Sequence, residues 1–70
     1  MLAIVKVDYH GSRTHVFLGS LDAAVDFADW LMAAGCPVEI TEGHPLAHPH
    51  TPAEQELADA LVLAYANAPR

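Results

Sequence analysis

Seventy residues carrying a net charge of −6, 53% of them apolar with a mean hydropathy of +0.22, describe a single small acidic domain over 1–70. That charge makes DNA, RNA and acidic membranes poor partners, and no apolar run approaches the ~20 residues that cross a bilayer. A chain this short buries only about 60% of its extended surface, so the apolar surplus points to a homodimer or a docked partner.

The first element is a strand from Met1 to Tyr9, with Ala3, Val5, Val7 and Tyr9 on one face and Ile4, Lys6 and Asp8 on the other. Gly11-Ser12 reads as a two-residue hairpin turn, glycine supplying the positive φ that a II′ turn needs first. That turn sets a register in which Val7 faces Val16, Val5 faces Leu18 and Tyr9 faces Thr14, with Lys6 opposite Phe17 and Asp8 opposite His15. Ser20 then caps a helix running to about Ala34, and Gly35 is its expected stop. Asp22 in the first turn suits the helix dipole.

Cys36-Pro37 leads into a short strand, Val38 to Thr41, and residues 43–50 form a proline-punctuated loop. Thr51-Pro52-Ala53-Glu54 opens a second helix with a capping box and proline at the first helical position. It extends to Ala66 or Asn67. The expected fold is α+β, in the order β-β-α-β-α. Its three-stranded sheet is antiparallel in order 2-1-3, with one helix on a face and the second beside it or reaching towards a neighbour.

Charge is segregated along the chain. Between Thr14 and Pro69 lie eight carboxylates and no lysine or arginine; the cations are Lys6, Arg13 and Arg70. Asp22, Asp26 and Asp29 share one sector of the first helix, because residues three and four apart stack. A bland reading makes them a solvated face that keeps an apolar helix soluble. A sharper one makes them a row that meets arginines or lysines on a partner. Glu39 and Glu42 around the third strand, and Glu56 and Asp59 on the second helix, extend the candidate partner-binding set. Metal ligation by the aspartates is disfavoured, since hard cations usually draw their oxygens from a folded loop.

Ile4 and Phe17 occupy a sheet face with no evident cover, and Trp30, Val62 and Leu63 lie on helix flanks. Together these five form the candidate oligomer interface. Five histidines include His44, His48 and His50 in one loop, but their spacing matches no strong zinc motif, so turn-forming roles are expected and no metal. Ser12, Ser20, Thr14, Thr41 and Thr51 have turn, strand or capping explanations. Cys36 has no cation beside it in sequence to lower its pKa. No phosphate loop is present, so neither enzyme activity nor a cofactor is expected. The lone cysteine suits a reducing cytoplasm, and residues 1–7 lack the features of a signal peptide.

In size, element order and segregated acidity the chain resembles small phage-encoded anti-CRISPR inhibitors. The resemblance implies a cytoplasmic nucleic-acid mimic in a bacterial or phage-infected cell, whose Asp22, Asp26 and Asp29 occupy a basic surface of a CRISPR effector complex. Arginines and lysines arranged for phosphates also accept a carboxylate row. The alternative is a structural or regulatory homodimerisation module, such as an antitoxin-like subunit. A metal- or pH-responsive domain built on the histidine loop is a third expectation to test.

Overall fold

A computed structural model describes residues 2–69, apart from the side chain of Pro45; Met1 and the cationic Arg70 lie outside the described residues. The elements are β1 (Leu2–Tyr9), β2 (Ser12–Leu18), α1 (Leu21–Ala33), β3 (Val38–Gly43) and α2 (Pro52–Ala66), with a short 3-10 turn at Pro45–Ala47. The sheet is antiparallel throughout, in the order β2-β1-β3, giving the expected α+β arrangement.

The hairpin register differs from the expected one. Val5 pairs with Val16, Val7 with Thr14, Lys6 with His15 and Asp8 with Arg13. The turn is His10-Gly11, one residue earlier than expected, and both residues have positive φ, 52° and 89°. Positive φ at both positions is the pattern of a I′ turn, and histidine tolerates it better than most side chains. The Gly11 N–H donates to the Asp8 carboxylate at 2.9 Å, closing the turn from the side. Moving a two-residue turn by one position changes every pairing by two, so each side chain keeps its face.

Both helices form where their end signals lie. The Ser20 hydroxyl accepts from the Ala23 N–H at 3.2 Å. At the other end of α1, Gly35 has φ +85° and donates to Met32, while the Cys36 N–H reaches the Leu31 carbonyl at 3.0 Å. These paired bonds form a Schellman cap and return the chain to the core at the buried Cys36. The Thr51 N–H donates to Glu54 Oε1 at 2.9 Å, and the Glu54 N–H donates to Thr51 Oγ1 at 3.2 Å, completing the capping box.

One sheet face carries the main core. Ala3, Val5, Val7 and Val16 pack against Ala24, Phe27, Ala28 and Leu31 of α1 and against Ala58 and Leu61 of α2. α1 lies over β1 and β3, and α2 over β2. Tyr65 joins the helices through its ring contacts, 5.0 Å from Phe27 and 5.4 Å from Trp30 between centroids. Thr14, buried at the β2 edge, donates its hydroxyl to the Glu54 carbonyl at 2.7 Å and ties the start of α2 to the sheet.

The second sheet face corrects an expectation: it is not bare. Ile4 is 0% exposed. The segment from Gly43 to His50 runs beneath the sheet from β3 to the far side of β2 before α2 begins on the upper face. Gly43 is tight against this packing, since a Cβ there would lie 2.8 Å from Ile4 Cδ1 and 3.0 Å from His48 Nε2.

Candidate functional site

The acidic row survives folding intact. At about 100° per residue, Asp22, Asp26 and Asp29 fall within roughly 60° of one another on the side of α1 opposite Ala24, Phe27 and Leu31. All three are exposed. On α2, Glu56 and Asp59 are exposed on the side away from the buried Ala58 and Leu61. Both helices lie on one face of the sheet, so both carboxylate sets point outward from the same layer. Glu42 belongs to this face too, while Glu39 lies on the opposite one, set by strand alternation.

The described cations are elsewhere. Lys6 and Arg13 project from the lower face, where Lys6 stands opposite His15 on one side and Glu39 on the other. Arg13 pairs with Asp8 at 3.9 Å, the one ion pair among the described residues, with side chains 87% and 40% exposed. Such a pair contributes little on its own. An open groove of about 420 Å³ runs along this end of the sheet between Lys6, Asp8, Arg13, His15, Glu39 and Glu54. Among the described residues, no hydrogen bond or ion pair engages the side chain of Asp22, Asp26 or Asp29.

The expected interface residues do not form one surface. Ile4 lies inside the molecule, sealed by the 43–50 segment. Phe17 is half-buried, edge-on to the His15 ring at 5.1 Å and 5.6 Å from that of His50. Trp30 stacks on Phe27 at 6.0 Å and serves the core flank. Val62 and Leu63 remain exposed, 43% and 64%. On α2, Ala58 is buried with Leu61, while Ala60 and Ala64 face solvent.

Three histidines come together where the sequence alone places only a loop. His15 Nε2 lies 2.8 Å from the His48 carbonyl, and His50 Nε2 lies 2.7 Å from the His15 carbonyl. Each ring thus donates to the other segment's backbone, forming a reciprocal clasp between β2 and the crossing segment. The His15 and His50 rings lie 4.1 Å apart, tilted by 38°. His50 Nδ1 meets Gln55 Oε1 at 2.8 Å, and Gln55 Nε2 donates to Asp59 Oδ1 at 2.8 Å. Asp59 is therefore already engaged within the chain, unlike the α1 aspartates. His44 takes a local role, its Nδ1 accepting from the Leu46 N–H at 3.1 Å.

The Glu54 carboxyl is held below its ordinary value, first by the Thr51 backbone N–H, next by the Thr51 hydroxyl, and to a lesser degree by His15 and His50. The grouped histidines serve as hydrogen-bonding partners. Among the described residues, no group of three or more His, Cys, Asp or Glu side chains could hold a metal ion.

The sequence held one signal for this clasp: an apolar sheet face, with Ile4 and Phe17, that needed cover from some segment. No family model, curated protein or solved structure matches the chain. Among the described residues, no helix is long and apolar enough to cross a membrane.

Proposed function

We propose that the chain is a non-enzymatic acidic binding protein that docks on a basic, nucleic-acid-binding surface of a partner. The observation that carries this reading is the placement of Asp22, Asp26 and Asp29 on the outer side of α1, exposed, with the described cations on the opposite sheet face. A carboxylate row without internal counter-ions projects its field outward and steers association with cationic surfaces. Glu56 and Asp59, on the helix beside it, extend the same side. A CRISPR effector complex is one partner with such a surface, and a nucleic-acid channel there accepts carboxylates in place of phosphates.

The test is the rate of association with immobilised CRISPR effector complexes across a salt series, with free duplex DNA as competitor. Binding is expected to weaken steeply with salt and to compete with DNA. The triple substitution Asp22→Asn, Asp26→Asn, Asp29→Asn is expected to slow association by about tenfold or more, with melting unchanged. An on-rate that ignores those three changes removes the α1 row as the docking surface.

One observation favours a second reading, the homodimerisation module. Leu21, Val25 and Met32 form an exposed apolar stripe along the flank of α1 turned away from α2, with exposures of 56%, 42% and 53%. That flank lies towards β3, an edge strand of the sheet. Antiparallel pairing of two copies of β3 centred on Ile40 sets Glu39 against Thr41 and Glu42 against Val38, so no glutamate opposes another. Light scattering on the native chain and on Met32→Lys decides it: a native dimer that becomes a monomer supports the module, and a native monomer eliminates it.

A further inference from the structure

The His50 ring has acceptors at both of its nitrogens. Nε2 faces the backbone carbonyl of His15 at 2.7 Å, and a carbonyl can only accept. Nδ1 faces Gln55 Oε1 at 2.8 Å. The amide is keyed in that orientation by Asp59, whose carboxylate takes the Gln55 NH₂ at 2.8 Å; the reversed amide would set carbonyl oxygen against carboxylate. A neutral imidazole carries one N–H and satisfies one of the two acceptors. The imidazolium carries two and satisfies both.

We propose that the clasp is a proton-operated latch: doubly protonated His50 holds residues 43–50 against the underside of the sheet, and loss of its second proton loosens them from Ile4 and Phe17. The latch does not depend on the α1 aspartates and shares only Asp59 with the acidic side of the helices.

The surroundings suit a single added proton. His15, against which the ring tilts at 4.1 Å, makes its one bond to the His48 carbonyl with one N–H and needs no second proton. Lys6 stands directly across from His15. His48, from the crossing segment, presents its ring edge-on to His15 at 5.8 Å. From α2, Glu54 and Asp59 supply the negative charge that accompanies a cationic His50, Asp59 through the Gln55 amide. Proton binding and closure are therefore linked. Acid favours the closed form and base weakens it.

The test follows the His50 ring by nitrogen-resolved NMR, together with hydrogen exchange of residues 43–50, between pH 5 and 8. In the native chain the ring is expected to pass from two bound protons to one, with protection of the segment, taken relative to the hydroxide-catalysed rate of an unstructured peptide, falling about tenfold over the same interval. Gln55→Met removes the second acceptor but keeps the Asp59 charge, and is expected to abolish that coupling. Asp59→Asn frees the amide to turn and donate to Nδ1, so a neutral ring satisfies both partners and protection becomes flat with pH. Coupling that persists in Gln55→Met would assign the effect to the Asp59 field and overturn the latch. Protection independent of pH in the native chain would overturn it equally.

Discussion

The outer side of the helix pair and the underside of the sheet use their polar groups in opposite ways. On the outer side, Asp22, Asp26 and Asp29 stand exposed, and their bonding capacity is left to water or a partner. Underneath, the side chains of His15 and His50 bond backbone carbonyls or Gln55 within 2.9 Å, and no buried side-chain polar atom among the described residues lacks a partner. A surface with spent hydrogen bonds fixes the fold; one with unspent charge is free to recognise. The molecule thus separates stability from contact by layer.

The sharpest way to break this comparison is to truncate the underside. Ile4→Ala is expected to cost about 2–5 kcal/mol, a large part of the roughly 4–10 kcal/mol available to a chain this long, read by urea unfolding. Val25→Ala, on the exposed flank of α1, should stay within about 0.5 kcal/mol. Equal losses at the two positions would mean that the crossing segment does not seal Ile4.

Gly43→Ala comes next, because its new methyl meets Ile4 Cδ1 and the His48 ring. A loss of about 1–3 kcal/mol is expected. Pairing it with Ile4→Val, which removes the Cδ1 atom, should recover part of that loss. Strict additivity of the two changes would refute the contact.

A smaller effect belongs to the cap of α2. The Glu54 carboxyl titrates below its ordinary 4.5 in the folded chain, so its contribution is complete above that value and is lost as pH falls through the lower folded value. Melting temperatures of the native chain and Glu54→Gln should therefore converge between about pH 5 and 3. A constant gap across that window would contradict the cap's role.

The smallest change in stability is expected from the triple aspartate-to-asparagine variant, a few tenths of a kcal/mol in either direction. Repulsion along the row is relieved, while Asp22 gives up its favourable place in the first turn. A loss of several kcal/mol would show that the row is structural and undo the contrast.

The features legible in the sequence were those written within a few residues. Ser20, Gly35 and the Thr51–Glu54 box set the helix ends because capping bonds span at most a turn or so, and helical periodicity alone put the aspartates in line. The hairpin was legible in its faces but not in its pairing, since Gly11 fits either of two neighbouring turns and the left-handed His10 carries no strong sequence mark. Of the clasp, only the need for some cover over Ile4 and Phe17 was legible. His15 and His50 are separated by 35 positions, and only the path of a loop without periodicity brings them together. Trp30, read on a helix flank, and Phe17, read on an uncovered sheet face, are claimed by Tyr65 and by the histidine rings for the same long-range reason.

The clasp has a bearing on how this chain avoids uncontrolled growth. A two-edged sheet can in principle add strands without end, and fibres begin that way. Here the His50 ring occupies the outward-facing His15 carbonyl of β2, which blunts that border against an incoming strand. Strand addition is thereby directed to the other border, β3, and a pairing there of two copies terminates itself.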